Sequence, residues 1–256
     1  MKSIAKSMLF LLLFGALSIA YSQTAAELIA QADNYSTKEF NNQKAIMKLF
    51  DADKISKNNW EIMWRISRSS VDIGEHMKAS SDEQLKKYEE AKYYADKAVE
   101  LAPNKSVCYL RRAIVNGRIA LFKGVFKAIG LVGDVKSDIE KAISLNNGSN
   151  EIMAACHYVL GRSHAKVCEK PYLVRLPLGL GWGDIDISIK EFKKAIEMRP
   201  EFKMYHLDFA KTLISEKEWA SAKEQLLKVP ALPKLDEDDD TFVAESKTLL
   251  EQIKNK

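Results

Sequence analysis

Apolar residues return every three to four positions along most of this chain, the spacing of helices that bury one face. The stretch 184–229 shows it most plainly. One helix ends in Ala195-Ile-Glu-Met-Arg-Pro200, a second carries Phe209-Ala210, and a third carries Ala222, Leu226 and Val229. Ala195 and Val229 stand 34 residues apart, the length of one helix-turn-helix unit in a stacked array. The same helix ending recurs at 52–57, 98–103 and 142–147. Seven residues before each ending stand Ala45, Ala91, Val135, Ser188 and Ala222, all small or β-branched, as closely paired helices require. The first helix of each pair carries its own small residue at the eighth position: Ser67, Ala113, Gly161 and Ala210.

These positions predict an all-α chain, a tetratricopeptide (TPR)-like right-handed α-solenoid of antiparallel helix pairs, with insertions and a C-terminal capping helix. The repeats fall at about 24–57, 58–103, 104–147, 148–200 and 201–234, within one domain over 23–256. The spacings between equivalent endings are 46, 44, 53 and 34 residues, so the middle repeats are enlarged. One enlargement reads as a longer helix starting at Ser81, with Gln84 three residues on as its capping partner. The largest lies between Lys166 and Asp184. Its apolar residues are punctuated by Pro171, Pro177, Gly179, Gly181 and Gly183, which predicts an extended loop tucked against the solenoid. Asp236 to Asp240 precede a capping helix over 238–254, where acidic residues suit the positive helix end.

Composition adds an address. Lys2 and Lys6 precede the apolar run Met8 to Ala20, and Ala20-Tyr21-Ser22 supplies small residues at the positions a signal peptidase reads. A signal peptide over 1–22, cleaved after Ser22, makes the protein secreted and periplasmic. The alternative is an uncleaved N-terminal membrane anchor, but the run is about 13 residues against the roughly 20 that span a bilayer. Without residues 1–22 the chain has 37 basic and 35 acidic residues. That near-neutral balance argues against a nucleic-acid or membrane-surface binder, and cleavage leaves no stable membrane span. Three cysteines, Cys108, Cys156 and Cys168, are too few for a disulfide framework.

The chemistry that the array can carry lies on its concave face, which the first helices line. Their ninth positions are Arg68, Ile114, Arg162 and Lys211, and their fifth positions are Trp64, Leu110, Tyr158 and Leu207. Three cations among aromatic and aliphatic neighbours suit a protein or peptide bearing acidic or C-terminal carboxylate groups. The competing reading is that these cations form intramolecular salt bridges with neighbouring second helices. His164 and Cys168 stand four apart, but His157 is too far along the helix to share an ion, so no metal is expected. Gly179-Leu-Gly-Trp-Gly183 has no Lys-Ser/Thr after it and is no phosphate loop, and no Gly follows Asp240 as a calcium loop demands. No catalytic motif stands out, and neither an enzyme nor a cofactor is expected.

The runs Trp64-Arg65-Ile66-Ser67-Arg68, Tyr94-Ala95-Asp96-Lys97-Ala98-Val99-Glu100-Leu101-Ala102-Pro103, Asp138-Ile139-Glu140-Lys141-Ala142-Ile143, Leu160-Gly161-Arg162 and Phe192 to Pro200 resemble the TPR region of the regulator of microtubule dynamics family. The resemblance covers roughly residues 60 to 255, including the irregular spacings. It implies a non-enzymatic helical-repeat protein that acts through protein contacts. The secretion signal departs from the family and, in a bacterial chain, puts microtubules out of reach. The leading expectation is therefore a scaffold or adaptor of the cell envelope. The alternative is a transport-accessory or small-ligand-binding protein in which the loop 168–183, through Tyr172, Leu176, Leu180 and Trp182, lids a pocket.

Overall fold

The computed structural model describes residues 23–124 and 127–256. The expected signal peptide lies outside the described residues. Helices pair in chain order: α1 (Ala25–Thr37) with α2 (Asn42–Ile55), α3 (Trp60–His76) with α4 (Ser81–Leu101), and α5 (Ser106–Lys123) with α6 (Ile129–Leu145). Next, α7 (Asn150–Cys168) pairs with α9 (Ile185–Met198) across an insertion holding the one-turn α8 (Tyr172–Arg175), and α10 (Lys203–Ser215) pairs with α11 (Trp219–Lys228). The last helix, α12 (Asp239–Gln252), packs on α10 and α11. Among the described residues there is no strand, and the architecture is a TPR-like α-solenoid.

Small residues set the pairing distance. Ala45, Ala91, Ser188 and Ala222 of the second helices and Ala113 and Ala210 of the first are fully buried. Gly161 shows the closest approach. A Cβ there would stand 3.1 Å from the Ser188 carbonyl oxygen and 3.2 Å from the Phe192 nitrogen. Ser188 Oγ instead donates to the Gly161 carbonyl at 2.8 Å, tying α9 to α7. Burial then runs along the stack. Leu49, Ile62, Leu110, Ile139, Phe192, Leu207 and Leu226 are nearly solvent-free, filling the seams between helices.

Two local expectations are corrected. The cap of α4 is Ser80 rather than Ser81, with Glu83 completing the box: the Ser80 N–H donates to Glu83 Oε2 at 2.9 Å, and the Glu83 N–H to Ser80 Oγ at 3.3 Å. A carboxylate at this position gains from the helix dipole as an amide does not, and Gln84 turns back to donate to the Gly74 carbonyl at 2.8 Å. The segment after α7 is also not an extended loop. It folds into α8 and a 3-10 turn over Leu176–Leu178, wound around an inward-pointing Arg175 that donates to the Leu180 carbonyl at 3.0 Å and the Gly183 carbonyl at 2.9 Å. One buried guanidinium thus satisfies carbonyls that an extended strand would leave open. Leu180 plugs the pocket between Val132 and Val167.

A strap along the concave face

The first helices stack on one another, α3 on α5, α5 on α7 and α7 on α10, and their inner faces enclose a cavity of about 780 Å³. Arg68 of α3, Ile114 of α5, Tyr158 and Arg162 of α7 and Lys211 of α10 line it. A second cavity of about 430 Å³ adjoins it, with Trp64 and Lys105 in its wall and Arg68 and Arg111 shared between the two. Leu110 and Leu207, expected on this face, are instead buried in the seams behind it. Both sit at apolar core positions, where burial of each outweighs any exposure to a partner.

The cations are largely occupied. Arg65 Nε donates to Asp33 Oδ2 at 2.9 Å and Arg68 Nη2 to Asp33 Oδ1 at 2.9 Å, so one carboxylate of α1 holds two guanidiniums of α3. Arg162 approaches Asp208 at 3.4 Å and donates to the Tyr158 hydroxyl at 2.7 Å, and that hydroxyl donates to Asp208 at 2.6 Å. Lys211 pairs with Asp208 at 3.3 Å and with Glu245 at 2.8 Å. Burial, with Asp208 beside it, pushes the Tyr158 phenol well above its usual value. Tyr158 also stacks on Tyr205, ring centroids 4.7 Å apart. Intramolecular ion pairs are therefore realised at Arg68, Arg162 and Lys211, but with partners on the first helices α1 and α10 and on α12 rather than on the neighbouring second helices expected, and all three cations still face the cavity.

What closes the groove carries no local signal in the sequence. After α11 the chain crosses back, and Leu235, Asp236, Glu237 and Asp238 line the cavity together with Phe242 of α12. This strap is pinned to the end of α3. His76 Nε2 pairs with Asp238 Oδ1 at 3.1 Å, and His76 Nδ1 lies 2.8 Å from the Asp72 carbonyl. In the sequence the acidic run signals only a helix cap, because the partner of Asp238 lies 162 residues away. Burial of the ring opposes its charge, but the hydrogen bonds to Asp238 and to the Asp72 carbonyl, with the charges of Asp238 and Glu237, raise His76 to about 9. A raised folded value means the bond stabilises fully below the ordinary histidine value near 6.5 and is lost as pH rises through about 9. Asp238→Asn is therefore expected to cost about 1 kcal/mol at pH 6, as befits a half-exposed pair, and almost nothing at pH 10 in urea unfolding.

The loop residues fare differently. Tyr172 and Leu176 are exposed, Leu180 is buried in the core, and Trp182 stands edge-on to His164 at 5.0 Å. None of residues 168–183 lines the cavity, so the lid expectation is corrected: Leu180 in its apolar pocket anchors the segment on the α5–α7 side. The histidines are taken up in pairing. His164 Nδ1 accepts from the Asp184 N–H at 3.1 Å, and His157 Nδ1 meets Glu191 at 2.5 Å. Among the described residues no group of three metal-ligating side chains converges. Burial pushes the Cys108 and Cys156 thiols up to about 12, which makes them inert.

Stacked helix pairs around a concave cavity define a TPR-type scaffold. Within that class the chain belongs to the regulator of microtubule dynamics protein 1-3 family, whose model matches residues 28–254. Regulator of microtubule dynamics protein 1 of Mus musculus is 26% identical over 230 residues, which cover 88% of this chain and 73% of that one. Protein 3 of Xenopus laevis is 28% identical over 201 residues, 75% of this chain but 41% of that one, so the chain spans less than half of this longer relative. A thermophilic TPR protein of Thermus thermophilus superposes with a TM-score of 0.62 at 15% identity, covering 88% of this chain and all of that one. At that identity the likeness is one of fold.

Proposed function

We propose that the protein is a non-enzymatic scaffold that holds a protein or peptide segment in its concave groove, within the cell envelope once residues 1–22 have been removed. The observation that carries this reading is the cavity itself, where Arg68, Arg162 and Lys211 stand beside Ile114, Tyr158 and Phe242. That mixture pairs carboxylates and covers apolar side chains of the same segment. A photo-crosslinking side chain at Ile114, which takes part in no ion pair, is expected to give one discrete protein adduct in envelope preparations. Arg68→Glu combined with Arg162→Glu should abolish the adduct while circular dichroism shows a folded chain. An unchanged adduct in the double variant would count against the groove.

A further inference from the structure

Nearly every charge in the groove has a partner. Arg68 is held by Asp33, Arg118 by Glu75 at 2.6 Å, Arg162 and Lys211 by Asp208, and Arg199 by Glu201 at 3.5 Å. Two partly buried groups stand apart from this pattern. Arg111 of α5 has no ion pair or hydrogen bond among the described residues, and its Nε is closed off from solvent without a partner. Its guanidinium faces the Trp64 ring at 5.4 Å, beside that of Arg68 at 5.3 Å. The Asp72 side chain, one turn beyond Arg68 on α3, likewise has neither ion pair nor hydrogen bond there; the His76 contact is to its backbone carbonyl. Both residues line the same cavity.

The two charges are close enough to influence each other, yet they do not meet. Burial, and then the Arg68 charge, pull Arg111 down to about 10, whereas burial lifts Asp72 to about 6. A partly desolvated cation and a partly desolvated carboxylate, each without its own partner, are costly to keep in a fold. A ligand that brings the opposite charge to each of them offsets that cost twice.

We propose that the groove binds a small zwitterion between Arg111 and Asp72, with the carboxylate of a free amino acid or short peptide on Arg111 and its ammonium on Asp72. Trp64, with Arg68 over the same ring, fixes the anion end. The cavity of about 780 Å³ lies within the range of drug-sized ligand sites. The inference rests on the concave face being the binding face, and it adds the charge pattern of the ligand and the two residues that read it.

The test is isothermal titration of the full chain with the dipeptide Leu-Leu, its N-acetylated form, its C-amide and inorganic phosphate. Leu-Leu is expected to bind, and blocking either terminus to weaken it about tenfold or more, the size of one charged hydrogen-bonded contact. Arg111→Met should abolish discrimination against the C-amide, and Asp72→Asn discrimination against the N-acetyl form. Thermal melting of Arg111→Met should be unchanged or raised, since no structural bond is broken. The absence of both heat and a raised melting temperature with Leu-Leu at about 10 mM would overturn the proposal, as would equal binding of the blocked forms. Phosphate bound through Arg111 with Leu-Leu excluded would overturn it too, leaving a simple oxyanion site. A failure here alongside a discrete crosslink at Ile114 rejects the zwitterion and keeps the scaffold reading.

Discussion

Asp208→Asn is expected to lower stability by about 3 kcal/mol at pH 7, because it leaves Arg162 partly buried against an amide. Asp208 is the hub of the groove's largest polar network, accepting from Tyr158 at 2.6 Å and pairing with Arg162 and Lys211. Its side chain is 14% exposed, so solvent does little to screen the loss. For a chain of this size that shifts the melting temperature by roughly 6–12 °C. Burial works to raise the Asp208 carboxyl, but Arg162, Lys211 and their hydrogen-bonding neighbours hold it below its ordinary 3.8. A lowered folded value means the contribution is complete above that ordinary value and fades as pH falls through the folded one. Wild type and variant should therefore differ by a constant amount from pH 7 to about 5 and converge in stronger acid. Urea unfolding at several pH values checks this. A gap that persists undiminished in acid would mean that shape, not charge, is what the aspartate supplies.

Gly161→Leu should be comparably severe. Adding a single methyl as Gly161→Ala places two opposing effects near each other: about 1 kcal/mol of improved helix propensity against roughly 1–3 kcal/mol of overpacking. The obstacle is backbone, the Ser188 carbonyl and the Phe192 nitrogen, which cannot turn aside as a side chain can. With leucine the propensity gain stays near 1 kcal/mol while α7 and α9 are forced apart. The Ser188 to Gly161 bond is then broken, and the loss should reach about 3 kcal/mol. The displaced α7 also carries Tyr158 and Arg162, so the variant should lose groove binding together with stability. Chemical unfolding and titration of the same preparation test both. A leucine variant as stable as wild type would show that the α7–α9 seam is looser than the structure has it.

The sequence made Gly161, Ser67, Ala113 and Ala210 legible because helix periodicity is a local property. A residue that faces its partner helix does so wherever that partner lies, and small size at one recurring phase records the contact. Arg68, Tyr158 and Arg162 are legible for the same reason, since they share the inner face of their helices. Leu110 and Leu207 share the phase of Tyr158 but end in the core, because a leucine side chain is too short to carry its tip past the seam to the cavity as the tyrosine does. Arg111 escaped notice because it stands outside the fifth and ninth positions and reaches the cavity by the length of its side chain. Asp72 escaped because a lone aspartate on a helix carries no signal until its missing partner is seen.

By itself, then, the sequence determined the helices, their pairing through small residues, and the helical-repeat class, all consequences of short-range periodicity. It did not decide how the strap at 233–238 crosses the groove to His76, nor that Asp33 would serve two arginines at once, nor that Arg111 and Asp72 would line one cavity without an ion pair. Those depend on how successive repeats are rotated and spaced. Ion pairing between residues tens of positions apart is set by that geometry, and only the tertiary structure fixes it.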